Sequence, residues 1–362
     1  MTYMHITLFY FLFSLGIVAA DWQPVEVFKG QRSNTAIAAD FDGDGQNEII
    51  YSSMNKLFLV SIDGKRTREL ASNVKVIHSA IADLDNDGDV DYIGGLEHVI
   101  WLDTPKDIWK DEWKLKIVSD ELKGTHAVEA IDMDKDGKMD VVANSFKGEG
   151  KYPFSICWFK NLGDGKFETY PLADRDAFGG SHYFKIFDLD GKRALCAAAK
   201  GNQFINGNYF ALYKEDKTLQ SPWSKSYLLE NQSGATNIIP ADFDKDGTID
   251  YVTSNGHGIG LKIIHGKDQA IIELDTEMES PHSLDVSDID GDGDLDIATC
   301  GYASAVVAWY ENNGAMKFKK HIIKTEQKAY DLRISDFDGD GLKDILLGGQ
   351  GSKNVIWFKQ VK

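Results

Sequence analysis

Cysteine is scarce in this chain of 362 residues, which holds only Cys157, Cys196 and Cys300. So sparse and odd a set argues against a disulfide framework and against the cysteine-dense calcium arrays, and no CxxC pair offers a thiolate metal site. All three fall in or at the end of an expected strand, which reads as buried thiols, with one disulfide pair as the alternative that export would allow. Basic charge is in deficit too, with 39 Lys and Arg against 57 Asp and Glu for a formal charge of -18. No basic stripe appears, so a nucleic-acid partner is disfavoured. Beyond residue 20 no apolar run approaches the roughly 20 residues of a membrane helix. No Ser-His-Asp set or phosphate-cradling glycine loop is legible, which leaves hydrolase and kinase readings without residues.

The first 20 residues are a different object. An apolar run from Ile6 to Val18 ends in Val18-Ala19-Ala20 before Asp21, a small-residue cleavage pattern. It reads as a secretory signal peptide, with residues 21–362 as the mature chain, secreted or extracytoplasmic and without a transmembrane segment after cleavage. The absence of Lys and Arg ahead of the run leaves a retained anchor as the alternative. Asn231-Gln232-Ser233 is a lone glycosylation sequon, meaningful in a eukaryotic host.

What the chain has in abundance is one acidic motif. Asp288, Asp290, Asp292 and Asp296 stand at positions 1, 3, 5 and 9 of a nine-residue loop with Gly293 at position 6. Such spacing converges carboxylate oxygens on one point, as a hard cation requires, and calcium is the expected ion. Five further full copies occur: Asp40, Asp42, Asp44, Glu48; Asp83, Asp85, Asp87, Asp91; Asp132, Asp134, Asp136, Asp140; Asp242, Asp244, Asp246, Asp250; and Asp336, Asp338, Asp340, Asp344. A seventh, at Asp188 and Asp190, lacks positions 5 and 9 and is expected to hold no metal. Six calcium ions would add 12 positive charges to the -18, leaving about -6, so the acidity mostly serves these sites.

The first aspartates recur about every 50 residues, a period that means a propeller or another array of supersecondary units. An EF-hand loop closes with Glu at position 12 between helices, whereas these close at 9 between strands. Each repeat reads as four strands, with insertions in repeats three (Ser145 to Tyr152), four (Lys200 to Asn208) and five (Ser254 to Gly260) at one equivalent point. The seventh repeat stops after three strands, while an extra strand, Gln23 to Phe28, precedes repeat one. Pairing that strand into the last blade would close a ring and remove an exposed edge.

These loops resemble those of the FG-GAP and VCBS repeat families, whose best-known propeller is the integrin alpha-subunit head. The resemblance spans Asp21 to Lys362. It implies an all-β fold, a seven-bladed β-propeller of four-stranded blades, with calcium loops between the first and second strands and the last blade closed by the N-terminal strand. The Gly-Ala-Pro element of the family is absent, so integrin-type ligand recognition does not carry over. Aromatics on the third strands, Trp101, Trp158, Trp309 and Trp357, read as blade-to-blade packing.

Chemistry is expected at the other end of the inner strands, about 20 Å from the loops. His126, His182 and His282 each stand six residues before a first loop aspartate, and His78 five before; Tyr330 takes that place in blade seven. The turns between second and third strands open on the same face and bring His257, Asn255, Lys200, Asn144 and Tyr302 into range. The plain alternative is that each imidazole hydrogen-bonds the neighbouring blade. Together they offer an additional divalent metal site, or a general base. Three residues before the loop aspartates, Glu129 and Lys185, and Asp285 and Arg333, are opposite charges on adjacent inner strands, expected to form structural ion pairs.

The leading reading is a monomeric, exported, calcium-stabilised propeller that binds a glycan or extracellular protein on the face opposite the calcium loops. The alternative is a carbohydrate-active enzyme, a polysaccharide lyase or sugar dehydratase, with His126, His182, His282 or His257 and Tyr302 or Tyr330 as catalytic candidates and His78, Asn144, Lys200 and Asn255 as ligand-binding ones. A purely structural adhesion module is the third.

Overall fold

A computed structural model describes residues 21–176, 181–200 and 207–361. The expected signal peptide and the middle of the blade-four insertion lie outside the described residues.

Among the described residues twenty-eight strands form seven four-stranded antiparallel sheets, six of them consecutive meanders. The seventh joins Asp331–Ser335, Asp344–Gly349 and Asn354–Val361 with the first strand, Asp21–Lys29, which pairs antiparallel along the last from Asp21↔Val361 to Lys29↔Asn354. The edge left bare at the C-terminal end is thus covered by the N-terminal strand, as the strand count required.

The middle strands alternate between two neighbours rather than between core and solvent. Ile297 packs with Val252 and Ile263 of blade five, while Ala298 packs with Ile345 and Leu347 of blade seven. Because both faces of each sheet are covered, these strands read as unbroken apolar runs, and Glu48–Ser53 and Asp344–Gly349 are buried throughout. One apolar cluster fills each of the seven blade interfaces. Trp101, Trp158, Trp309 and Trp357 lie in them, and the three cysteines are free and buried.

The inner strands are also tied by polar bonds around the axis. Thr35 Oγ1 donates to Asp331 at 2.7 Å and sits 2.8 Å from Ser79 Oγ; Val128 N donates to His78 at 3.2 Å and Ile186 N to Glu129 at 3.0 Å. Tyr183 N then donates to the Thr236 carbonyl at 3.1 Å, Asn237 Nδ2 to that of His282 at 2.7 Å, and Ile334 N to Asp285 at 2.9 Å. The ring is closed by bonds between residues up to 296 positions apart.

Candidate functional site

The acidic loops occupy one face. At position 6 all six carry glycine with φ between 87° and 100°, and position 4 is also left-handed in each, at Gly43, Asn86, Lys135, Lys245, Gly291 and Gly339. The position-1 carboxylate caps the turn it begins: Asp83 accepts from the N–H of Asp87 at 3.2 Å and of Gly88 at 3.0 Å, and Asp288 accepts from Gly293 at 3.0 Å. The position-9 carboxylate braces the loop against the sheet. Asp296 accepts from Ile289 N at 2.9 Å with one oxygen and from Asn312 N at 2.8 Å with the other. In blade four the motif has collapsed to a two-residue hairpin, with Leu189 paired to Lys192 and Asp190 and Gly191 both left-handed, so no nine-residue loop remains.

The donors of these loops are carboxylate oxygens, the hard ligands that calcium takes. Asp40, Asp42 and Glu48 bring ligand oxygens within 4.8 Å of one another, as do Asp83, Asp85 and Asp91. Burial, joined in each case by repulsion from the loop's own carboxylates, pushes Glu48, Asp91 and Asp296 up to about 7 and Asp140 and Asp344 up to about 6. Carboxylates that resist ionisation for this reason are suited to a cation.

The loops are not equivalent. The third-strand residue at the position-9 end of the pairing is Ser61, Asp103, His265 or Glu311 in blades one, two, five and six, but Lys160 and Lys359 in blades three and seven. The Lys160 ammonium contacts Asp134 and stands 3.5 Å from Asp136; that of Lys359 contacts Asp338 and stands 3.0 Å from Asp340. A lysine therefore bridges positions 3 and 5, where a cation would be coordinated. In blade five His265 Nε2 stands 3.3 Å from Asp244 and the Lys267 ammonium 3.2 Å from Asp246, and in blade two the Lys116 ammonium stands 3.8 Å from Asp85, so a single lysine spanning both positions distinguishes blades three and seven.

The histidine face lies at the opposite end. Bulges in the inner strands, between Ser181 and Phe184 and between Pro281 and Ser283, fall at His182 and His282 and re-aim them. His126, His182, His257 and His282 come together: His182 has ring centres 4.9 Å from His126 and 5.1 Å from both His257 and His282. His78 does not join them. Starting one residue out of phase, it turns toward the channel, accepts from Val128 N and stands 3.2 Å from Arg333 Nη2, with the Tyr183 ring between it and the cluster.

Around the cluster, Tyr330 stacks on His282 at 3.5 Å, Tyr302 meets Tyr330 edge-on at 5.2 Å, and Lys200 lies over Phe146, which stacks on His126 at 4.2 Å. Asn144 and Asn255 turn their amides to the backbone. Asn144 Oδ1 accepts from His126 N and Ala127 N, its Nδ2 donates to the His182 carbonyl at 3.3 Å, and Asn255 Nδ2 donates to the Ile259 carbonyl at 3.3 Å. Burial depresses the imidazoles, His126 and His257 to about 4, His282 to about 3 and His182 well below its ordinary value, helped by the positive charge each would share with its neighbours. They are neutral at physiological pH. Tyr183 and Phe146, which floor and flank the cluster, carry no sequence signal beyond adjacency to His182 and to the blade-three insertion.

In the channel Lys185 pairs with Glu129 at 2.7 Å, as the alternation of charge predicts. Arg333 departs from it: the ion pair forms with Asp331 of its own strand at 3.5 Å, and Asp285 instead accepts from the N–H of Ile334 and of Val286. Asp331, tied to Thr35 and Ala36 of blade one, is the stronger partner because it is already fixed at the ring closure.

Residues 288–347 match the FG-GAP-like repeat family. No curated protein matches the chain. Among solved structures the chain is similar to BBS1N in a crystal structure with ARL6DN, at 9% identity, 95% of this chain, 98% of that one and a TM-score of 0.64. It is also similar to the extracellular domain of BT4673 from B. thetaiotaomicron, at 10% identity, 94% of this chain, 40% of that one and a TM-score of 0.54. Both likenesses lie in the fold.

Proposed function

We infer that this chain, a seven-bladed propeller of the FG-GAP repeat type, is an exported calcium-stabilised recognition module that binds an extracellular protein or glycan on its histidine face. The observation that carries the reading is the division of labour between the two faces. Carboxylates at fixed spacing crowd one face, whereas the other presents a rigid group of aromatic and imidazole rings, Phe146, His126, His257, Tyr302 and Tyr330, on turns of unequal length. Met54, 65% exposed, stands on the equivalent turn of blade one. The similar propeller seen in a complex, BBS1N with ARL6DN, supports a protein partner. Calcium would be held by the carboxylates of blades one, two, five and six, and would neutralise turns whose charges repel one another. Export suits such sites, since extracellular modules work with dissociation constants of about 10⁻⁴–10⁻³ M.

The test is to screen immobilised protein, at millimolar calcium, against a glycan array and a library of extracellular proteins. A binder should lose affinity with Tyr302→Ala and keep it with Asp44→Asn on the loop face. A binder indifferent to Tyr302 and sensitive to Asp44 would place recognition on the wrong face and overturn the reading.

A further inference from the structure

Three imidazoles at the mouth stand in a nearly equilateral triangle, with ring centres 5.1 Å apart for His182 and His257, 5.1 Å for His182 and His282, and 5.2 Å for His257 and His282. One ring nitrogen from each lies within 4.8 Å of the other two, and His182 Nε2 is 3.1 Å from His257 Nε2. We propose that His182, His257 and His282 form a three-imidazole site for a transition-metal ion of the zinc class, separate from the acidic loops.

The dimensions carry the argument. Zinc–nitrogen bonds of about 2.0–2.1 Å at tetrahedral angles place ligand nitrogens about 3.3 Å apart and the ring centres about 5 Å apart. The triangle already has that size, so an ion would enter without rearranging the inner strands. Ligand orientation is also set. His282 Nδ1 donates to the Tyr330 carbonyl at 2.9 Å, which fixes the proton there and leaves the lone pair on Nε2. That Nε2 is buried without a hydrogen-bond partner. The Tyr330 ring stacked on His282 and the Tyr183 ring packed against His182 hold both imidazoles in place.

The metal class follows from the donors. The trio is all imidazole, which suits zinc, cobalt, nickel and copper and offers calcium or magnesium no oxygen. His257 is exposed on its turn, so the trio borders solvent on one side. Three protein ligands with an open fourth position can accept a donor atom from a bound molecule.

The test uses the untagged full chain, stripped of transition metals and saturated with calcium so that the acidic loops are filled, titrated with Co²⁺. One equivalent should bind with the intense visible absorption of tetrahedral Co²⁺, and one equivalent of Zn²⁺ should abolish it. His257→Gln, at an exposed turn where folding is not at risk, should remove the band while leaving the circular dichroism spectrum and the calcium stoichiometry unchanged; His282→Ala should do the same if it folds. A wild-type protein showing only the weak absorption of octahedral Co²⁺, or a band that persists in His257→Gln, overturns the proposal.

Discussion

Replacing Lys160 and Lys359 by methionine should raise the number of calcium ions bound from four to six. Each lysine rises from a third strand into an acidic loop and bridges the carboxylates at positions 3 and 5. A calcium ion there would face the ammonium at about 4 Å. With two charges on the ion and one on the lysine, the repulsion is about 2 kcal/mol even at the dielectric of water, and several times that in a half-buried loop. The lower figure alone weakens binding about 30-fold. Methionine keeps the aliphatic length that packs along the strand and removes the charge, which suits two side chains that are half-buried. Equilibrium dialysis at fixed free calcium, with metal counted by mass spectrometry, should give four ions for the wild type, five for each single variant and six for the double. Six ions of equal affinity in the wild type, or a count unmoved by the substitutions, would refute the reasoning.

Chelation should make stability depend on pH in a direction opposite to ordinary acid denaturation. Glu48, Asp91 and Asp296 at about 7, and Asp140 and Asp344 at about 6, hold protons in the folded, metal-free protein that an unfolded chain releases near pH 4. Stability in EDTA therefore falls as pH rises from 5 to 8; at about 1 kcal/mol per group after loop relaxation and solvent screening, the melting temperature should drop roughly 7 °C. Saturating calcium should remove the share of that slope owed to Glu48, Asp91 and Asp296 and leave the share owed to Asp140 and Asp344, and a slope in EDTA that calcium does not change counts against occupied loops. Asn312→Ala strips donors from the Phe243 carbonyl of blade five and the Leu295 carbonyl, 2.9 and 3.2 Å away, and should cost about 2–3 kcal/mol in thermal denaturation. Arg333→Met leaves the buried carboxylate of Asp331 without its cation and should cost about 3–5 kcal/mol at neutral pH, less in acid where Asp331 takes a proton, as denaturant titrations at pH 5 and 8 would show.

The acidic loops were legible because each is a local object. Four carboxylates and a left-handed glycine must stand at fixed spacing within nine residues, so Asp288 to Asp296 announces itself without any knowledge of its neighbours. The same holds for the strand count, the period of about 50 residues that repeats it, and the missing last strand supplied by Asp21–Lys29. Phase along an inner strand was legible too: six residues before the loop, His126, His182 and His282 reached one mouth, and five residues before it His78 turned elsewhere, since one step along a strand reverses the side chain.

What the sequence could not show depends on pairs far apart in the chain. Lys160 and Lys359 lie 26 and 21 residues from the aspartates they contact, on strands whose register only the folded sheet fixes. His257 meets His182 across 75 residues, and Arg333 takes Asp331 over Asp285 because Thr35, 296 positions away, holds Asp331 at the closure of the ring. By itself the sequence determined a repeated local unit and the sites contained within it. Which loops receive a lysine was decided by register within each blade, and which imidazoles share a point in space by the packing of blades around the ring, because both bring together side chains whose spacing along the chain carries no periodic signal.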